Sequence, residues 1–212
     1  MTMTNLTIQQ LVDDLQPVRA LRPMRSIAAS LAIVGVALAL IMLYFGPRPD
    51  LLAGKPDAMF LLRSGTLLLL GLANAYAAIG FASPSVGRQS SSWQIAVAAA
   101  LLFPMSALIV ALSVSPSEAI AATQTGMKCL QVSLVGGLAT AIPMVLHLRR
   151  GAPISPERAG WLTGISSGGL GAFAYNFHCP FNDLIYIGVW YTLAVGICAI
   201  AGRLIVPHLI RW

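Results

Sequence analysis

Six long apolar runs set the pattern of the chain: residues 27–45, 61–81, 93–114, 127–148, 159–177 and 184–206. Each is near the roughly 20 residues that an α-helix needs to cross a bilayer. Within the runs the apolar residues are continuous, not alternating, so helix is the predicted state and barrel strands are not. The connections carry residues that end helices: Gly46-Pro47-Arg48-Pro49, Ser83-Pro84-Ser85-Val86-Gly87 and Gly151-Ala152-Pro153. The expected fold is therefore all-α. Residues 27–212 would form an integral membrane bundle of six transmembrane helices, laid out as three consecutive hairpins. Pro104 and Pro143 should kink the third and fourth helices. Gly160, Gly164 and Gly168 recur every four residues, beside Ser167 and Gly171, and this small face lets the fifth helix approach a neighbour closely. Asn74, deep in the second helix, reads as an interhelical hydrogen-bonding group.

Residues 1–26 form a separate segment. Thr7-Ile8-Gln9-Gln10 has the spacing of a capping box and opens a run with Ile8, Leu11, Val12 and Leu15 at helical intervals. Asp13 and Asp14 lie on the opposite face, Pro17 ends or kinks the helix, and a second apolar edge runs from Val18 to Leu21. A short amphipathic cytoplasmic helix is expected. It could lie on lipid, but the acidic pair and the lack of basic residues before Arg19 suit a protein partner better than an anionic bilayer. In that reading Leu11, Leu15, Val18 and Leu21 anchor the partner, and Asp13, Asp14, Arg19 and Arg22 set specificity.

Composition excludes a soluble domain: 9% of residues are charged and 57% hydrophobic, against roughly 25% charged in soluble domains. The net charge of +6 comes with no dense basic run, so no direct nucleic-acid contact is expected. The cations sort by topology instead. Arg19, Arg22, Arg25, Arg88, Arg149, Arg150, Arg158, Arg203 and Arg211 flank one side, and Arg48, Lys55, Arg63 and Lys128 the other. Positive-inside placement puts both termini in the cytoplasm and the loops at 46–60, 115–126 and 176–183 outside. Arg63 and Lys128, near helix ends, are expected to snorkel.

The densest chemistry lies in Asn176-Phe177-His178-Cys179-Pro180-Phe181-Asn182-Asp183. Cys129, in the first turn of the fourth helix beside Lys128, falls on the same side by topology. Two readings stand. The thiols are small packing residues, or they form a reversible disulfide or a metal or oxidant site with His178. A disulfide would close a loop of about fifty residues, worth on the order of 4 kcal/mol. A metal site would use Cys129, Cys179 and His178, with Asp183 or Glu118 as auxiliary ligands, but this spacing is no recognised ligand signature. Cys198 sits mid-span and reads as packing.

The chain resembles the NrsF-like family of six-span inner-membrane proteins, negative regulators of an extracytoplasmic-function sigma factor. The resemblance runs nearly end to end. It is carried by Leu11-Val12-Asp13-Asp14-Leu15-Gln16-Pro17-Val18-Arg19-Ala20-Leu21-Arg22-Pro23, Gly46-Pro47-Arg48-Pro49-Asp50-Leu51, Arg149-Arg150-Gly151-Ala152-Pro153, His178-Cys179-Pro180, Val189-Trp190-Tyr191-Thr192-Leu193 and Leu209-Ile210-Arg211-Trp212. It implies that the N-terminal segment holds the sigma factor at the bacterial inner membrane. It also implies that Cys129 and Cys179 sense oxidants or heavy metals and trigger release.

Other classes fit less well. A small transport or metal-efflux protein would carry a charged path through the bilayer, and no span has a mid-membrane acid. A membrane thiol oxidoreductase usually needs C-x-x-C, and a hydrolase needs a nucleophile with its base and orienter; neither pattern occurs. The chain is expected to be no enzyme, to act on no small-molecule substrate, and to use no cofactor beyond a regulatory metal ion or a reversible disulfide.

Overall fold

The computed structural model describes residues 22–82, 92–121, 123, 126–151 and 153–210, and these contain helices and no strand. The amphipathic helix expected before residue 22, with Leu11, Asp13, Asp14, Leu15, Val18, Arg19 and Leu21, lies outside the described residues. The described residues hold eight helices: α1 (Pro23–Phe45), α2 (Pro49–Leu52), α3 (Ala58–Gly80), α4 (Ser92–Ser113), α5 (Pro116–Ala121), α6 (Met127–Arg149), α7 (Pro156–Asn176) and α8 (Leu184–Ile210). The six long ones coincide with the six apolar runs. The first begins at Pro23, four residues ahead of the expected start, because proline at the first helical position loses no hydrogen bond. Exposed Arg22 is its N-cap residue.

Among the described residues, four helices, α1, α3, α6 and α8, are long and apolar enough to cross a membrane. α7 is the least apolar of the six long helices, and its place explains why. Fourteen of its 21 residues are buried, against four of 23 in α1. α7 is thus the central helix, packed on α8, α6 and α3, with α1 at the periphery. A helix surrounded by protein needs small residues more than apolar ones.

Those small residues bring backbones together. A methyl group at Gly164 would stand 2.2 Å from the Cys198 carbonyl oxygen, and one at Gly168 would stand 2.8 Å from the Val195 Cα. On another face, Gly171 meets the Ser133 carbonyl and Gly137 of α6. Ser166 Oγ donates to the Gly71 carbonyl at 2.7 Å, tying α7 to α3. Cys198 packs here, its sulfur beside Gly137. Asn74 departs from expectation. Its amide donates to Leu70 of its own helix at 2.8 Å, and its Oδ1 has no partner among the described residues. The turn back to the local carbonyl competes with any bond across helices.

The bundle has two chemically different ends. At one, Ala82, Leu148, Ala159, Val206 and Ile210 form an apolar plug. At the other, the loops after α1, α5 and α7 converge; there the Trp190 indole N–H donates to the Thr123 carbonyl at 3.0 Å.

Gly164→Val should force α7 and α8 apart and lower the thermal midpoint of the detergent-purified protein, at a cost of about 1–3 kcal/mol or more. Gly35→Ala, inside α1 with nothing within 4 Å of the added carbon, should not lower it.

Candidate functional site

The loop between α7 and α8 is built by its own residues. α7 stops at Asn176, and the His178 and Cys179 N–H groups fold back onto the Tyr175 carbonyl at 3.0 and 3.2 Å. Pro180 prevents helical continuation. Asp183 then caps α8, its Oδ1 accepting from the Ile185 and Tyr186 N–H groups at 2.8 and 3.0 Å. The two turns aim Cys179 into the bundle.

Cys129, in the first turn of α6, lies directly beside Cys179. Both are free thiols with no exposed surface. They share a cluster with Tyr175, Tyr186 and Tyr191, and the Ser133 and Tyr191 hydroxyls have no hydrogen-bond partner among the described residues. The Cys179 thiol is held below its ordinary range, first by the hydrogen bond from Cys129. The Arg63 charge and the Phe181 N–H add to this, while burial pushes the other way.

Two buried arginines frame the pair. Arg48 donates through Nη1 to the Cys179 carbonyl and through Nη2 to Asn182 Oδ1 at 3.1 Å. It also forms a two-pronged pair with Asp50, Nε to Oδ1 at 2.8 Å and Nη2 to Oδ2 at 3.0 Å. Arg63 donates to the Phe181 carbonyl at 2.7 Å and to the Cys179 carbonyl at 3.4 Å. It was expected to snorkel; instead it is wholly buried. The turned-back loop offers it carbonyls that lipid would not. Further clamps join the loops: Arg48 N–H to the Phe177 carbonyl at 3.1 Å, and Asn176 Nδ2 to Ser64 Oγ at 2.6 Å. Gly46, at a φ of +82° that few other residues adopt, turns the chain into this loop.

The other expected site residues are engaged elsewhere. The His178 Nδ1–H donates to the Gly46 carbonyl at 2.9 Å, and its ring packs between Phe45 and Tyr175. Glu118 caps α5, accepting from the Ser115 N–H and hydroxyl at 3.1 and 2.8 Å. Among the described residues, no three His, Cys, Asp or Glu side chains are grouped to hold a metal. An open cavity of about 660 Å³ lies beside the thiols, lined by Lys128, Tyr175, His178, Pro180 and Tyr186. Arg48 and Arg63 were missed as site residues. The available signals were an arginine between two prolines and a cation inside an apolar run, which deserves a functional reading by default.

Residues 11–212 match the model of the NrsF family, described as negative regulator of sigma F. The chain is 29% identical over 194 residues, 90% of each chain, to the anti-sigma-F factor NrsF of Caulobacter vibrioides (strain NA1000 / CB15N). It is 38% identical over 61 residues, 29% of each chain, to the probable anti-sigma-F factor NrsF of Azospira oryzae (strain ATCC BAA-33 / DSM 13638 / PS). No solved structure gives a significant match.

The Arg48 guanidinium holds the Asp50 carboxyl at about 2, below its ordinary 3.8. Protonation thus favours the unfolded chain. The stability from this pair is fully present above pH 3.8 and is lost as pH falls through about 2. Acid titration of the thermal midpoint should show that loss, and Asp50→Asn should remove it.

Proposed function

This chain belongs to the NrsF family of negative regulators of sigma F, and on that premise we propose that it is a six-span anti-sigma factor of the bacterial inner membrane with both termini cytoplasmic. The N-terminal segment, residues 1–26, holds an extracytoplasmic-function sigma factor. Cys129 and Cys179 sense an oxidant or a heavy metal and trigger its release. The nine-to-four split of basic residues supports the orientation. The observation that carries the sensing step is the meeting of two buried free thiols, fifty residues apart in the chain, at the loop end of the bundle.

The chemistry is simple. Each thiol loses its proton and the pair loses two electrons to a two-electron oxidant, forming one S–S bond; the oxidant takes up both electrons and both protons. A thiophilic divalent cation would instead bridge the two sulfurs and displace both protons. Releasing a partner 100-fold needs about 2.7 kcal/mol of difference between the bound and released states. Either event must favour the released state, because a ligand that binds both states equally shifts nothing.

Leu15→Asp, or removal of residues 1–26, should abolish co-purification of the sigma factor from detergent while insertion persists. Unchanged co-purification would move recognition to the inner loops. Oxidation with diamide should yield a Cys129–Cys179 peptide by mass spectrometry and leave Cys198 as a thiol. The double variant Cys129→Ser, Cys179→Ser should lose the response of a sigma-dependent reporter to diamide and thiophilic metals. A normal response would sink the thiol mechanism.

A further inference from the structure

Arg63 is a cation held inside a helix that is long and apolar enough to cross a membrane. No carboxylate pairs with it: the ion pairs among the described residues are Arg48–Asp50 and Arg203–Glu157. Its guanidinium rests on two carbonyls of the 177–183 loop and on the face of the Tyr191 ring, 5.2 Å from the centroid. Its Nε has no hydrogen-bond partner among the described residues. A buried guanidinium with no carboxylate partner, resting on loop carbonyls and a ring beside the Cys179 thiol, is costly. An exit lies close by, because α3 begins at Ala58 and Arg63 sits about 8 Å along it. From there an arginine side chain can reach the interface.

Two loop carbonyls and the Tyr191 ring of α8 hold Arg63 inward. The bond from Arg63 to the Cys179 carbonyl is already long at 3.4 Å, and that carbonyl is shared with Arg48. A disulfide requires the sulfurs to close to about 2.05 Å, well inside their non-bonded contact. Cys129 is held in the first turn of α6 and Cys179 in a loop, so the loop is the freer of the two to follow the closing sulfurs. The far end of α3 reaches the opposite end of the bundle, where Ala82 lies against Gly151 and the plug of Leu148, Val206 and Ile210.

We propose that Arg63 is the positioning residue that couples the Cys129–Cys179 pair to α3, held inward by the reduced loop and freed toward the loop-end interface when the pair is oxidised. This rests on the thiol-sensing reading above. Its movement shifts α3 along α7 and disturbs the Ala82–Gly151 contact at the other end. Coupling between distant sites requires two discrete arrangements, here Arg63 held inward and Arg63 at the interface.

The test uses the full chain in membranes with its sigma factor. Arg63→Met, apolar and of similar length, removes the drive to leave. It should still bind the partner and still form the disulfide with diamide, yet lower the induced reporter response by about tenfold or more. Arg63→Lys, which keeps the charge, should restore most of it. A structural role alone would not separate disulfide formation from release. Normal release from Arg63→Met on oxidation would overturn the coupling and leave the thiol reading standing, whereas a normal response from the double cysteine variant would overturn the thiol reading itself. Should Arg63→Met fail to accumulate, modification of the wild-type protein by phenylglyoxal decides. Arg63 should be protected when reduced and modified when oxidised, and equal protection in both states refutes the proposal.

Discussion

At Gly164 the backbone of α7 faces the Cys198 carbonyl and the Ala199 Cα of α8 with no room for a methyl group between them, and the bundle is arranged around that approach. Lipid tails are as apolar as leucine, so burying apolar surface gives membrane helices little reason to associate. Close backbone packing and interhelical hydrogen bonds must do it. α7 supplies both, with glycines toward α8 and α6 and Ser166 toward Gly71 of α3. The outer faces, where Leu69, Val135 and Leu204 are exposed, are left free to be apolar.

The loop end follows a different rule. Here the chain must leave helical geometry, and its freed carbonyls need donors. Arg48 and Arg63 provide them, so both guanidinium groups converge on the Cys179 carbonyl. The same arrangement places positive charge beside a thiol pair and ties the loop to α3. Arg48 has Asp50 as a counter-ion; Arg63 has no carboxylate partner among the described residues.

Several features are legible in the chain itself because they depend on local composition. Continuous apolar runs bounded by Pro and Gly yield long helices wherever they fold, and the six long helices fall on the six runs. The four-residue glycine spacing marks a close-packed face without any knowledge of the partner. Asp183 and Glu118 show the limit of such reading. As residue types they could be ligands, but each sits where a helix begins, and the unpaired N–H groups there take the carboxylate first.

By itself the sequence determined that the chain is helical and apolar enough for a membrane, that α7 is a packing helix, and that Cys129 and Cys179 belong to one end. Each follows from period, composition or the counting of crossings, which are properties of neighbouring residues. Only the tertiary structure decided that the two thiols touch, that His178 turns to Gly46 while Cys179 turns inward, and that Arg63 is buried, not snorkelling. Those outcomes depend on which carbonyls a loop presents to a side chain more than a hundred residues away. No local pattern encodes that, because the cost of burying a guanidinium is offset only where the distant loop happens to lie.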